Sequence, residues 1–172
     1  MPEAPDLVVI REFLLTRLVS DTFSKVIERK SLALRNMTSV DFESNLAGRR
    51  VESLDRQGKL LIIGLPGDRE LIISPMLTGA LMWCEPSVRM MASIVFVFDM
   101  EPGKQLRYID QKKMGQVYYL SPEQPSEIVR LENQEPDVID EHLSFDQFVE
   151  GLRPFRGEVK GCVDPRKACF WG

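Results

Sequence analysis

One histidine and three cysteines in 172 residues leave little material for the commonest kinds of nucleophilic and metal chemistry. The cysteines are odd in number and none belongs to a Cys-x-x-Cys pair. A disulfide scaffold and a zinc site are therefore not expected, and a reducing compartment is. Cys162 and Cys169, on an expected helix, are read as packing residues. No long apolar run occurs and no charged-then-apolar leader opens the chain, which predicts neither a membrane span nor a secretory signal. A glycine-rich phosphate loop is missing too, so nucleotide hydrolysis is not suggested. His142 lies among acids and is expected to face solvent, with no serine or cysteine triad to be assembled around it.

What is present is the make-up of an ordinary globular chain with a real core, 44% apolar and 28% charged. The formal charge of -4 is unevenly spread. Residues 121–150 hold nine acids against Arg130, a net of -8, which leaves +4 on the remainder.

Periodicity organises the rest. Leu7, Ile10, Phe13, Leu14 and Leu18 recur at three- and four-residue spacing and predict an N-terminal helix with one apolar face, with Pro5 in its first turn. Residues 22–31 alternate well enough to suggest a strand. Ser39 followed by Asp41, Phe42, Glu43 and Leu46, ending at Gly48, predicts a short helix with an N-cap and a C-terminal glycine. Seven β-type runs follow, over 49–56, 59–65, 69–75, 79–84, 91–99, 105–109 and 116–120, divided by turn residues such as Pro66-Gly67-Asp68. The fold class expected is α+β: an eight-stranded antiparallel β-sandwich flanked by an N-terminal helix and further helices. Ile94–Phe98, apolar on both faces, should be a central strand. Three parts are expected: residues 1–121 as the sandwich domain with its helix, 122–143 as an acidic connector, and 144–172 as the start of a helical module. Ser144 with Gln147 makes a capping box for a helix in that last part.

The stretch with chemistry in it is the first: Met1-Pro2-Glu3-Ala4-Pro5-Asp6, running into the apolar helix. Removal of Met1 would make Pro2 the amino terminus. An α-amine is roughly a tenth neutral at pH 7, against about one part in a few thousand for a lysine, so it is much the readier nucleophile. Attack of a secondary amine on a sugar aldehyde carbon gives a cationic iminium, which draws electrons and eases loss of a neighbouring phosphate. Glu3 stands beside it as proton donor or acceptor. While Met1 is attached, the Pro2 nitrogen is an amide and attacks nothing.

Met-Pro-Glu-x-Pro-Asp ahead of an apolar helix resembles the start of the formamidopyrimidine-DNA glycosylase and endonuclease VIII family. Three more resemblances follow in the family's order: Arg56-Gln57-Gly58-Lys59-Leu60-Leu61, Met76-Leu77-Thr78-Gly79-Ala80-Leu81, and Leu106-Arg107-Tyr108-Ile109-Asp110-Gln111-Lys112-Lys113-Met114-Gly115. The resemblance implies a base-excision repair glycosylase with abasic-site lyase activity. Such an enzyme works as a monomer on double-stranded DNA in the bacterial cytoplasm, associated with the nucleoid. It also implies that a complete member continues into a helix-two-turns-helix module, which Gly157-Glu158-Val159-Lys160-Gly161 resembles in its opening, and often a zinc finger. The chain is thus expected to be the catalytic part of a longer protein, with weak activity and weak DNA binding alone and no cofactor of its own.

Carried over residue by residue, Pro2 is the nucleophile on the sugar C1′, Glu3 the acid that helps open the ring, and Lys59 a contact to phosphate or sugar near the lesion. Asp6, Met76, Leu77, Lys112, Met114 and Lys160 are the expected DNA-contacting residues. Leu77 aligns with the family's methionine wedge, and Met76 would serve by a one-residue shift. Lys112 takes the place of an arginine and Met114 that of a phenylalanine, while Asp6 replaces glutamate, Ser74 histidine and Gln111 proline. Lysine lacks the planar fork of arginine, so preference for the opposite base should be weaker. The acidic segment is expected to face away from nucleic acid, because affinity for DNA rests largely on lysine and arginine against phosphates. A second reading of the same residues is a noncatalytic β-sandwich that binds damaged DNA or a protein partner.

Overall fold

The structure is a computed structural model that describes residues 2–101, 103–122 and 144–153. The chain divides into two compact units, Met1–Val129 and Arg130–Gly172. Lys160, Cys162, Cys169, His142 and most of the acidic connector lie outside the described residues.

The first unit opens with helix α1, Ala4–Leu18, with Pro5 in the first turn as expected. There a missing amide hydrogen has no helical carbonyl to lose. Leu7, Leu14 and Leu18 are buried, and Ile10 and Leu15 pack beside them. Phe13, expected on that face, is instead 47% exposed. At about 100° per residue it falls well round the helix from the Leu7–Leu14–Leu18 line, and the Arg17 guanidinium covers its ring at 3.8 Å.

Nine strands follow among the described residues: β1 Phe23–Glu28, β2 Leu34–Asn36, β3 Ser53–Gln57, β4 Leu60–Leu65, β5 Arg69–Ser74, β6 Gly79–Cys84, β7 Ile94–Met100, β8 Lys104–Asp110 and β9 Gln116–Leu120. They form a four-stranded sheet in the order β1-β7-β8-β6 and a five-stranded sheet in the order β2-β9-β5-β4-β3. The α+β sandwich is as expected, with two differences of detail. The additional strand is β2, and it runs parallel to β9, whereas the other pairs are antiparallel. A three-residue strand is too short to show alternation, which is why periodicity passes over it.

The core lies between the sheets. Leu54, Leu61, Ile63, Leu71, Ile73, Val117 and Tyr119 from one meet Phe23, Val26, Phe96, Phe98, Leu106 and Tyr108 from the other. A short helix α2, Phe42–Leu46, closes one edge. Its Phe42 stands edge-on to Phe96 at 5.8 Å and to Tyr119 at 5.5 Å, so one ring joins both sheets. The N-cap is Asp41, not Ser39, because the Asp41 carboxylate accepts the Ser44 amide at 2.9 Å. Gly48 follows with φ +81°.

Strand β7 is buried on both faces, as its composition predicts. The fully buried Arg107 of the neighbouring β8 ties down the 85–93 loop. Its Nη1 donates to the Val88 carbonyl at 3.0 Å and its Nη2 to that of Pro86 at 3.3 Å. Gln105 Oε1 accepts from Arg107 Nε at 2.8 Å, and Gln105 Nε2 donates to Asp99 Oδ1 at 2.6 Å. The guanidinium is thus satisfied without a directly paired acid. In the second unit a helix α3, Phe145–Leu152, carries the expected capping box, Ser144 amide to Gln147 Oε1 at 2.9 Å and Gln147 amide to Ser144 Oγ at 3.2 Å.

Candidate active site

The amino-terminal residues are held where α1 begins. Glu3 is the N-cap, in extended conformation, and its amide donates to Asp6 Oδ2 at 2.8 Å. Asp6 therefore has helix-capping work of its own, and its short arm points back along the chain. The Glu3 carboxylate meets Lys59 Nζ at 2.7 Å. Pro2, next to it, is half-buried, and Glu3 is exposed. Lys59 comes from the two-residue turn between β3 and β4, where Gly58 takes φ +54°, a conformation in which glycine bears no steric cost. Helix α1 is seated over β3 by Arg11, whose Nε donates to the Leu54 carbonyl at 3.0 Å and whose Nη2 meets Asp55 Oδ1 at 3.2 Å. Glu3 and Lys59, fifty-odd residues apart in the chain, are brought together by that seating, with Pro2 the residue before Glu3.

Strand register gathers the remaining residues at the same end of the sandwich. The pairs Gln57–Leu60, Leu61–Ile73, Ser74–Gln116 and Gly79–Asp110 place four segments on one rim. These are the 58–59 turn, the 75–78 loop, the 111–115 loop and the end of β8. Met76, Leu77 and Met114 are 45%, 42% and 43% exposed. Large apolar side chains this open on a rim are not core residues. Lys112 is exposed as well. Ser74, where a histidine stands in the family pattern, pairs with Gln116 at the end of β5.

One residue at this rim carries no role in the sequence reading. Asp110 is fully buried. Its Oδ1 accepts from the Thr78 hydroxyl and from the Lys112 amide at 3.1 Å, and its Oδ2 from the Gly115 amide at 2.7 Å. Burial by itself would push this carboxyl up, but the Thr78 hydroxyl and the amides of Gly115, Lys113 and Lys112 outweigh it and hold the group below its ordinary range. Tyr108, beneath it, is pushed up by burial and by the charge of Asp110. The signal available in sequence was the short interval between Asp110 and Gly115 inside the Leu106–Gly115 motif, a spacing that lets a carboxylate take a loop amide.

Among the described residues no group of three or more His, Cys, Asp or Glu is placed to hold a metal ion. The arrangement offers instead a carboxylate and an ammonium in contact, the carboxylate next in sequence to Pro2, with apolar side chains projecting from the same rim.

Comparison with known proteins adds the following. Residues 1–117 match the family model for the formamidopyrimidine-DNA glycosylase N-terminal domain. A formamidopyrimidine-DNA glycosylase of Chloroflexus aurantiacus is 26% identical over 163 residues, covering 95% of this chain and 58% of the relative. Another, of Heliobacterium modesticaldum, is 30% identical over 163 residues, covering 93% and 59%. The chain thus spans somewhat over half the length of these curated relatives. A crystal structure of the Lactococcus lactis enzyme, noncovalently bound to DNA containing an abasic site, superposes with a TM-score of 0.76 over 92% of this chain and 60% of that one, at 20% identity.

Proposed function

With residues 1–117 matching its N-terminal domain, the chain belongs to the formamidopyrimidine-DNA glycosylase family, and on that premise we propose that it excises damaged bases from double-stranded DNA and cleaves the resulting abasic site. The observation that carries this reading is the 2.7 Å contact between Glu3 and Lys59, because it sets a carboxylate and an ammonium beside the position of the only secondary amine a polypeptide can offer.

The steps follow from the groups. With Met1 removed, the Pro2 nitrogen attacks the sugar C1′, the bond from C1′ to the base breaks, and the base leaves with a proton. Glu3, as the acid, protonates the ring oxygen as the sugar opens, leaving an iminium between Pro2 and C1′. The iminium draws electrons, C2′ gives up a proton, and the 3′ phosphate departs. Lys59 holds phosphate or sugar beside that carbon, and water finally releases Pro2. Extruding the base costs a few kcal/mol in stacking and pairing, which Leu77, or Met76 by a one-residue shift, offsets together with Met114 by occupying the vacated space while Lys112 meets the orphaned partner. Lys160 is assigned a DNA contact on the family pattern alone. The site of action on this reading is the bacterial cytoplasm, on the nucleoid.

The test is borohydride trapping of the Met1-free protein on DNA carrying an oxidised base or an abasic site. A covalent adduct that falls sharply in Pro2→Gly and in Glu3→Gln is expected. Structure-selective binding with no adduct on any lesion, and no effect of Glu3→Gln, would point to the noncatalytic DNA-binding reading instead.

A further inference from the structure

Resting on that reading, we propose that Asp110 and Thr78 are positioning residues that clamp the two loops bearing the apolar side chains into one insertion device. Thr78 belongs to the loop that presents Met76 and Leu77, and Asp110 opens the loop that presents Lys112 and Met114. The Thr78 hydroxyl donates to Asp110 Oδ1. The Lys112 amide is shared, 3.1 Å from Thr78 Oγ1 and 3.1 Å from Asp110 Oδ1. Asp110 Oδ2 takes the Gly115 amide at 2.7 Å, which fixes the far end of the second loop. A single buried carboxylate therefore receives hydrogen bonds from both loops, and the first loop's hydroxyl is bonded to the second loop's backbone.

Two further features show why a clamp is needed. Each loop holds a residue other than glycine in the left-handed region, Met76 at φ +50° and Lys113 at φ +55°. Such backbone costs on the order of 1–3 kcal/mol per residue and persists only where its surroundings over-determine it. Beneath both loops lies the Tyr108 hydroxyl, buried and, among the described residues, without a hydrogen-bond partner. A Cβ on either Gly79 or Gly115 would collide with it. The exits of the two loops are pressed on the same phenol oxygen, so neither loop shifts without meeting what holds the other.

The consequence concerns force. Side chains driven into a base stack push back on their own backbone, and a loop strained by itself would yield. Joined through Asp110, Leu77 and Met114 present a fixed separation to the duplex. The clamp acts on extrusion and touches neither the amine nor the sugar.

The experiment uses the 172-residue chain with Met1 removed. Amide hydrogen exchange is read by NMR in Thr78→Val, which keeps the shape and removes the hydroxyl, and in Thr78→Ser, which keeps the hydroxyl. The Gly115 amide, on the other loop, is expected to exchange about tenfold or more faster in Thr78→Val, the loss of a hydrogen bond to a charged group, and to return toward the parent rate in Thr78→Ser. Unchanged exchange at Gly115 would mean that the loops are independent and would overturn the clamp. Activity supplies the second arm. Thr78→Val is expected to lose about tenfold in base release from duplex DNA while trapping a single-stranded abasic site, where nothing needs extruding, within about twofold of the parent. Equal loss on both substrates would overturn the positioning role. If the parent protein forms no adduct with either substrate even at protein concentrations high enough to offset its weak DNA binding, the lyase reading of Pro2 fails, and the exchange data still decide the clamp.

Discussion

Lys59 and Glu3 form an ion pair whose side chains are 37% and 55% exposed. Water screens charges that open, and such pairs contribute about 0–1 kcal/mol to folding. The pair therefore adds little to folding, and on the proposed reading its work is on the sugar or phosphate. Lys59→Ala is expected to move Tm by no more than about 4 °C while lowering the trapping rate by about tenfold or more. Calorimetry beside borohydride trapping checks both, and a large fall in Tm would show the lysine to be structural. Pro2, Glu3 and Lys59 can be singled out in the sequence because each lies inside a short contiguous motif, but the contact between Glu3 and Lys59 cannot be read there. Asp110 cannot be singled out, although it sits inside the Leu106–Gly115 motif. Its role depends on Thr78, thirty-two residues earlier, and on Lys112 and Gly115, and no local rule marks an aspartate at a strand end as the acceptor for two loops.

At the scale of elements, the site is as good as the seat of α1. Its buried face is three leucines, and Arg11 ties its middle to the Leu54 carbonyl and Asp55. Arg11→Ala leaves the helix its propensity and removes that tie, and a cost of about 1 kcal/mol is expected. Because the helix end bearing Pro2 and Glu3 is positioned by this seat, trapping should slow by more than the loss of stability accounts for. The check is the rate measured well below Tm, where both proteins are fully folded, and an unchanged rate would separate the seat from the site. Long periodic elements were readable, α1 and β7 above all, since burial of a face leaves a repeated signature in composition. Phe13 misled for the opposite reason. An aromatic near the edge of an apolar stripe reads as core, whereas here an arginine one turn on covers it at the surface. Strand β2 has three residues and draws its order from pairing with β9, so the information that makes it a strand lies eighty residues away.

For the whole molecule, the carboxylates pull stability in opposite directions with pH. Glu28 is pushed up by burial and by Glu43 and Asp41, Glu70 by burial, and Asp21 by burial and Glu101 against a hydrogen bond from the Thr22 backbone. For these three the folded chain disfavours the charged form. The resulting penalty is present at neutral pH and fades as pH falls through the folded values toward the ordinary 4.5 of glutamate and 3.8 of aspartate. Asp110 has the reverse sign. Its hydrogen bonds favour the charged form, so its contribution is complete above the ordinary 3.8 and is lost as pH falls through its lowered folded value. Asp41, fully exposed, leans the same way through Ser44. Tm is therefore expected to hold or rise slightly from pH 7 to about 5 and to drop steeply only below about 4. Asp110→Asn should be less stable at pH 7 by about 2 kcal/mol and should show a shallower acid limb, because the proton that breaks the parent's clamp has no carboxylate to join. Thermal melts of both proteins across pH 3–7 check this. Parallel acid limbs would mean that the carboxylate joining the two sheets' rim loops is not what acid undoes first.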